Sequence, residues 1–168
     1  ALHYALAKQI PCFIKELIRY GADPNARDNE GRTPLFYYHQ SYGGNGGIVR
    51  AFVEAGADVN AIDSKGRTIL IHAVNTIRDD HDMRSVVSTF IHLKADVTTA
   101  DPDGNTFMHY AMINDTGIDA ENIISKAVEV GANLDAKNND GYAPLHLAVM
   151  EPKDRRPTFH DYKIKHLI

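Results

Sequence analysis

Apolar residues recur at intervals of three and four along short segments of the chain. In Ile48-Val-Arg-Ala-Phe-Val-Glu-Ala and in Val86-Val-Ser-Thr-Phe-Ile-His-Leu, this spacing places the apolar side chains on one face of a helix. Residues 33–41 and 144–150 predict a second kind of helix, which is shorter and begins at a Thr or a Pro. The pattern therefore predicts alternating short helices, each with an apolar face that needs a neighbour.

A polar turn of the form Asp/Asn-x-x-Gly precedes each shorter helix. In such turns an Asp side chain can accept hydrogen bonds from the backbone ahead of it, and Gly tolerates a positive φ. The turn glycines, which are separated by 35, 38 and 37 residues, are Gly31, Gly66, Gly104 and Gly141. A second marker keeps the same spacing, in Gly21-Ala-Asp, Gly56-Ala-Asp, Lys94-Ala-Asp and Gly131-Ala-Asn. Two markers in phase indicate a tandem repeat, whose units must stack to bury their apolar faces.

Several of these motifs resemble those of ankyrin repeat proteins: Thr33-Pro-Leu, Ala143-Pro-Leu-His-Leu-Ala, Gly21-Ala-Asp-Pro-Asn-Ala and Gly56-Ala-Asp-Val-Asn-Ala, with Leu2-His-Tyr-Ala similar to the first-helix core. The resemblance implies an all-α solenoid of stacked helix-loop-helix units with β-turn or hairpin tips. We expect one ankyrin-repeat domain over residues 1–168, with repeats at 1–27, 28–62, 63–100, 101–137 and 138–168. The first and last repeats are incomplete, which predicts an excerpt of a longer protein.

Departures from the family pattern are concentrated between the two helices of a repeat. Family repeats have about 33 residues, so the longer repeats here predict insertions at 42–47, 75–84 and 114–122. Lys94 stands where the other repeats have the closing glycine, and the register predicts Leu70 in the core.

Composition excludes several other classes of protein. The chain has 168 residues, 43% of them apolar, with 18 Lys+Arg against 22 Asp+Glu and a net charge of −4, which argues against a nucleic-acid surface. No apolar run is long enough to cross a membrane. Cys12 is the single cysteine and cannot form an intramolecular disulfide; we expect a buried thiol. Without a visible secretion leader, an intracellular, cytoplasmic location is expected.

The nine histidines do not predict a metal or catalytic site. The resemblance implies that His3, His109 and His146, at the histidine position of the first helix, make structural hydrogen bonds. The polar segment 78–82 and the glycine-rich segment 43–47 lack the spacing of a calcium loop or a P-loop, and favour solvated loops. A short basic stretch, Lys153, Arg155 and Arg156, indicates an exposed loop. We therefore predict no catalytic residue, no metal and no cofactor, and no enzyme activity.

The resemblance implies that a partner protein binds the concave face, which tips and inner helices line. Candidate partner-binding residues are Arg27, Asn29, Glu30, Arg32, Ser64, Lys65, Arg67, Asp103, Asn105, Asn139, Asp140 and Tyr142. Further candidates are Ile62, Pro102 and Lys137 at the tips and Gln40, Ser41, Asn75, Thr76, Ile113 and Asn114 on the inner helices. The cations early in the array predict acidic groups on the partner opposite the N-terminal half. Arg32 and Arg67 are the expected anchors there, and Tyr142 is the expected aromatic contact at the other end.

Two functions follow as hypotheses. The first is a non-catalytic, monomeric protein–protein interaction module. The alternative is a targeting or substrate-recruiting arm of a larger multidomain enzyme or of a pathogen effector, because long loops of this kind resemble arrays that intracellular pathogens deliver into the host cytoplasm. The resemblance also makes Asn25 and Asn60 candidate substrates of an asparaginyl hydroxylase, and Leu17, eight residues before Asn25, suits that enzyme class better than Phe52 before Asn60.

Overall fold

The computed structural model describes residues 1–8, 10–40, 46–77, 80–113 and 120–150. Within these ranges the chain forms eight α-helices and one 3₁₀ helix, and its β structure consists of isolated bridges. The helices are α1 (Leu2–Ala7), α2 (Pro11–Arg19), the 3₁₀ helix (Pro34–Gln40), α3 (Gly46–Glu54), α4 (Ile69–Thr76), α5 (Asp80–His92), α6 (Phe107–Ile113), α7 (Ala120–Glu129) and α8 (Pro144–Val149). The predicted alternation of short helices is confirmed.

The helices form two rows. The inner row contains α1, the 3₁₀ helix, α4, α6 and α8, and each of these packs against the next one along the chain. The outer row contains α2, α3, α5 and α7, in which α2 packs on α3 and α5 packs on α7. The first four inner helices also contact the outer helix that follows each of them, so the pairs stack into the all-α solenoid that the sequence predicts.

One apolar core runs through the stack. Leu70 on α4 is only 1% exposed, which confirms the predicted register, and Phe52 and Phe90 on the outer helices α3 and α5 are fully buried. These residues belong to one continuous cluster that extends from α1 to α7. Each helix pair therefore depends on its neighbours for burial of its apolar face.

A tight hairpin precedes α4 and illustrates the tips. The Asp63 N–H donates to the Arg67 oxygen at 3.0 Å, and the Gly66 N–H donates to the Asp63 oxygen at 2.9 Å. Gly66 has a φ of +71°, a conformation that favours glycine. An antiparallel bridge between Ile62 and Thr68 closes the hairpin, and Ala100 and Thr106 form the same bridge before α6.

The second inner helix differs from the expectation for residues 33–41, because residues 34–40 form a 3₁₀ helix. At the start of α4, the Thr68 hydroxyl oxygen caps the helix by accepting from the Ile71 N–H at 3.3 Å. Among the described residues, the equivalent Thr33 hydroxyl is buried and has no hydrogen-bond partner. The Phe36 N–H, which corresponds to the Ile71 N–H, donates instead to the Thr33 backbone oxygen at 3.0 Å, so this helix begins without a side-chain cap.

The expectation of a buried Cys12 is wrong: the thiol is exposed. Cys12 lies in the first turn of α2, whose buried face is defined by Ile14. Residues two apart lie on nearly opposite faces of a helix, so Cys12 points away from the core. Its neighbour Phe13 is also 61% exposed.

The tips of neighbouring repeats are joined by backbone hydrogen bonds. The Ser64 N–H donates to the Glu30 oxygen at 2.8 Å, and the Asn139 N–H donates to the Asp103 oxygen at 3.0 Å. The equivalent position between these two contacts is Pro102, which has no N–H to donate. The ladder of tip bonds is therefore interrupted between the third and fourth repeats.

Several predictions concern residues outside the described ranges. They include residues 42–45, 78–79 and 114–119 of the three insertions, Ser41, and the basic stretch Lys153, Arg155 and Arg156, and they remain predictions. The expectation of a loop at residues 78–82 is wrong for its second part, because α5 begins at Asp80.

Candidate partner-binding surface

A side chain at the start of each tip fixes the turn. The Asp28 Oδ1 accepts from the backbone N–H groups of Glu30 at 2.8 Å and Arg32 at 2.9 Å. The same pair of bonds, to the residues two and four positions ahead, is made by Asp63, Asp101 and Asn138. Because these bonds order the backbone of the turn, the two residues that follow each such Asp or Asn are held in a fixed orientation towards the solvent.

Most of the predicted binding residues occupy these outward positions. The exposed ones are Arg27, Asn29, Glu30, Ser64, Lys65, Asp103, Asn139, Asp140 and Tyr142. Backbone hydrogen bonds of 2.8 and 3.0 Å join the tip at 28–32 to that at 63–67 and the tip at 101–105 to that at 138–142. Because the inner helices between them stack in sequence, these side chains form a row along the array. The Tyr142 side chain is 38% exposed and supplies an aromatic surface at the end of the row.

Arg32 and Arg67 are not the free cations that the sequence suggested. The Arg32 guanidinium lies 3.0 Å from the Asp28 carboxylate, and that of Arg67 lies 2.7 Å from the Asp63 carboxylate. The two arginine side chains are only 19% and 13% exposed. Their charges are already neutralised within the tip, which corrects the expectation that they are the main anchors for an acidic partner. The missed signal is the four-residue spacing of Asp and Arg across a hairpin.

Tyr37 completes a polar cluster around Asp28. The Tyr37 hydroxyl donates to Asp28 Oδ2 at 2.7 Å, and the Arg32 guanidinium lies 4.8 Å from the centre of the Tyr37 ring. Partial burial raises the pKa of Asp28, but the hydrogen bonds from Tyr37 and from the Arg32 and Glu30 backbone outweigh it and lower that pKa to about 2. Burial and the bond to Asp28 raise the pKa of Tyr37 to about 12. The carboxylate therefore stays ionised and the phenol neutral.

Arg27 has a bridging role in addition to its exposure. Its Nη1 donates to the Gly31 oxygen at 2.8 Å and to the Ile62 oxygen at 2.7 Å. Arg27 thus ties its own tip to the start of the next one. Because carbonyl oxygens carry no net charge, the guanidinium keeps its positive charge at the surface.

Asn105 was expected to contact a partner, and the structure contradicts this. The Asn105 side chain is only 1% exposed, and its Oδ1 accepts from Asn138 Nδ2 at 2.9 Å. The pair joins the fourth and fifth repeats beneath the tips, so Asn105 cannot reach a partner.

Inner-helix candidates are less accessible than expected. Ile113 is buried, and Asn75 and Thr76 are half-buried. The Thr76 hydroxyl donates to the His72 oxygen at 2.7 Å within α4. The side chain of Gln40 lies outside the described part of the structure, as do Ser41 and Asn114.

The three histidines at the family position make structural hydrogen bonds, which confirms the expectation. His3 Nε2 lies 2.9 Å from the Arg32 oxygen, and His146 Nδ1 accepts from the Ala143 N–H at 3.2 Å. His109 is fully buried, accepts from the Thr106 N–H at 3.0 Å, and has Nε2 3.0 Å from the Tyr142 oxygen. Burial lowers the pKa of His109, so its neutral form is favoured.

Asn25 and Asn60 both connect neighbouring repeats. Asn25 donates from Nδ2 to the Gly56 oxygen and accepts at Oδ1 from the Asp58 N–H, both at 2.8 Å. Asn60 Oδ1 accepts from the Asp96 N–H at 2.8 Å. Asn25 is half-buried and Asn60 is exposed.

In the described ranges, no group of three or more His, Cys, Asp and Glu side chains is arranged to hold a metal ion. The helices found there include none long and apolar enough to cross a membrane.

Two rows of stacked helices with anchored polar tips define a solenoid repeat protein. A family model of ankyrin repeats, in three copies, matches residues 2–87. The chain belongs to the ankyrin repeat family, whose repeats are generally protein–protein interaction modules and typically non-catalytic.

Proposed function

We propose that this chain is a non-catalytic protein–protein interaction module that binds its partner through the face formed by tips and inner helices. The row of exposed side chains on anchored tips carries the proposal. A surface that is already ordered loses little conformational entropy when a partner binds. The module acts as a monomer in the cytoplasm, where a chain with one cysteine needs no disulfide.

The charges along the tips indicate what the partner offers. Arg27 and Lys65 are exposed cations in the N-terminal half, where the exposed Glu30 is paired with Arg32. Asp103 and Asp140 are exposed anions in the C-terminal half, against one exposed cation at the described tips, Lys137. A complementary partner presents acidic groups to the first pair and basic groups to the second. Arg32 and Arg67 support this surface through their bonds to Asp28 and Asp63.

A capture experiment with matched double variants tests the proposal. The tip variant is Lys65→Glu/Tyr142→Ala, and the control is Lys15→Glu/Tyr20→Ala on the exposed side of α2. Each is used as bait in eukaryotic lysate, and captured proteins are quantified by mass spectrometry. We expect a partner that the unmodified chain and the control retain and that the tip variant loses by about tenfold. A partner lost equally from both variants, or from neither, would contradict the proposed surface.

The alternative role, as a recruiting arm of a larger enzyme or effector, uses the same tip surface. The two roles differ in one outcome: a recruited substrate is chemically modified in the presence of the full-length protein, whereas a binding partner is not.

We also propose Asn25 and Asn60 as asparaginyl hydroxylation sites. Both lie in surface turns, and each bonds the next repeat through its side chain. Incubation with such a hydroxylase and peptide mass spectrometry tests this, because modification adds one oxygen to the peptide. An unchanged mass for both peptides would refute it.

A further inference from the structure

A surface cavity of about 450 Å³ lies on the outer helices rather than at the tips. Its walls are formed by Gly47 and Arg50 from α3, by Ser88, Thr89 and His92 from α5, and by Leu93, the residue after α5. The described residues that line it include no Asp or Glu.

Arg50 differs from Arg32 and Arg67 in having no acidic partner within the described part of the chain. Its side chain is exposed, and no described residue forms an ion pair with it, although Glu54 lies one turn along the same helix. Arg32 and Arg67, by contrast, are each paired with an aspartate of their own tip. Arg50 therefore keeps its charge and its five N–H donors for a ligand.

A second cation, Lys126 on α7, contacts a residue that lines the cavity. Lys126 Nζ donates to Ser88 Oγ at 3.2 Å, and no acidic side chain in the described ranges pairs with Lys126. Because Ser88 Oγ is the acceptor in this bond, its own proton can be donated to a ligand. The Lys126 contact thus orients the Ser88 hydroxyl as a donor.

The other two polar side chains are oriented by α5 itself. Thr89 donates its hydroxyl proton to the Ser85 oxygen at 2.8 Å, and His92 Nδ1 lies 2.9 Å from the Ser88 oxygen. A carbonyl oxygen only accepts, so Nδ1 carries the proton and the second ring nitrogen donates only when the imidazole is charged. The donors that are always available to a ligand are therefore those of Arg50, Lys126 and Ser88.

Guanidinium, ammonium and hydroxyl donors together match the oxygens of a phosphate monoester, which carries close to two negative charges near neutral pH. The cavity is much larger than a phosphate group and falls within the range of sites that hold organic ligands. Leu93 adds an apolar wall, which favours a ligand with a carbon portion. We propose that this outer-helix cavity binds a phosphoserine or phosphothreonine side chain on a peptide of a partner protein.

Nuclear magnetic resonance titration of the ¹⁵N-labelled chain tests this site directly. The probes are the peptide acetyl-Ala-Leu-phosphoserine-Leu-Ala-amide, the same peptide without phosphate, and inorganic phosphate. We expect the phosphopeptide to shift the amide signals of Gly47, Arg50, Ser88 and His92. Inorganic phosphate shifts the same signals with at least about fivefold weaker affinity, and the unphosphorylated peptide leaves them unchanged.

Two variants and a matched control assign the binding to the cavity. Arg50→Gln and Lys126→Gln each keep a polar side chain of similar length, and we expect each to weaken phosphopeptide binding by about fivefold to tenfold. Arg19→Gln is the control, since Arg19 is an exposed arginine on the outer helix α2. The ¹⁵N spectrum of each variant verifies its fold before titration.

Each other outcome overturns part or all of the proposal. Equal affinity for phosphopeptide and inorganic phosphate means a simple anion site with no peptide specificity. Equal binding of the phosphorylated and unphosphorylated peptides means that phosphate is not recognised. If Arg19→Gln weakens phosphopeptide binding as much as Arg50→Gln does, the cavity is not the phosphate site. The same conclusion follows if no localised amide signal shifts at probe concentrations up to about 10 mM.

Discussion

His109 Nε2 lies 3.0 Å from the backbone oxygen of Tyr142, so the buried imidazole of one repeat holds the tip of the next. The other ring nitrogen of His109 accepts from the Thr106 N–H at the start of its own helix. One side chain therefore fixes both the beginning of α6 and the position of the following tip. The stability of the array and the geometry of its binding surface are linked through this residue.

Replacement of His109 by leucine should destabilise the array by about 3 kcal/mol, because it leaves the buried Thr106 N–H without a partner and removes one of the two hydrogen bonds that the Tyr142 oxygen accepts. Urea unfolding followed by circular dichroism measures the loss. His3→Leu is a useful comparison, since His3 is half-buried and bonds the Arg32 oxygen; we expect about 1 kcal/mol there. Equal losses of unfolding free energy in the two variants would show that burial of the imidazole does not increase the stabilisation from its hydrogen bonds.

Gly104 and Gly141 form a matched pair for measuring how closely neighbouring tips approach. Their φ angles are +78° and +81°, so alanine is strained by the same amount at both. A Cβ at Gly104 would lie 2.8 Å from the Asn139 backbone nitrogen, whereas a Cβ at Gly141 would meet nothing within 4 Å. Gly104→Ala should therefore cost about 1–3 kcal/mol more than Gly141→Ala in thermal or urea unfolding. A difference near zero would mean that the two tips are not packed against each other.

Lys94 occupies a left-handed conformation, with a φ of +61°. Its N–H donates to the Ile91 oxygen and that of Ala95 donates to the Phe90 oxygen, the same helix-ending bonds that Gly56 and Ala57 make one repeat earlier. Lys94→Gly should stabilise the chain by about 1 kcal/mol, because glycine adopts this conformation without a clash at Cβ. Lys94→Ala is the control: it removes the charge but keeps the Cβ, and a gain from alanine as large as that from glycine would assign the effect to charge.

The Asp28 cluster predicts a dependence of stability on pH. The pKa of this carboxyl falls from its ordinary 3.8 to about 2 in the folded chain. The folded state therefore releases this proton more readily than the unfolded state, and the resulting stabilisation is present above about pH 4 and is lost as the pH falls towards 2. Asp28→Asn should lower the free energy of unfolding at pH 7 by about 2 kcal/mol and much less near pH 2. Unfolding curves for both proteins at these two pH values test this; a constant difference would contradict it.

The fold could be predicted from the sequence because its main determinants are local. Three of these determinants act within a few positions: the Asp-x-x-Gly turns, the closing glycines and the three-and-four spacing of apolar residues. Because they recur with a common period, the repeats had to stack to bury their apolar faces. The structural role of His109 was predicted too, because its position relative to Thr106 is part of the family pattern. No local pattern distinguishes the 3₁₀ helix at residues 34–40 from the α-helices of the other repeats, and its Phe36 packs against His72 of the next repeat.

The candidate surface was harder to predict, because an ion pair between the two ends of a hairpin leaves no periodic pattern in the sequence. Arg32 and Arg67 were expected to be free, and only the folded tip shows Asp28 and Asp63 beside them. Asn105 was expected to be exposed, and its burial depends on Asn138 of the following repeat. The uncompensated charge of Arg50 had no signal at all in the sequence.

Pro102 has a mechanical consequence for the array. At the contact between the third and fourth repeats, Pro102 leaves the tip without an N–H donor. Thr98 occupies the position at which Asn25 and Asn60 bridge the earlier repeats. Ile71 occupies the position at which His109 bridges the fourth and fifth repeats. In the described part of the chain, none of these three bridging bonds crosses this contact, so apolar packing and the Lys126–Ser88 hydrogen bond must resist a pulling force there. When the solenoid is stretched along its axis, the contact between the third and fourth repeats should therefore separate first. Mechanically, the array consists of two stiff segments joined by a softer one.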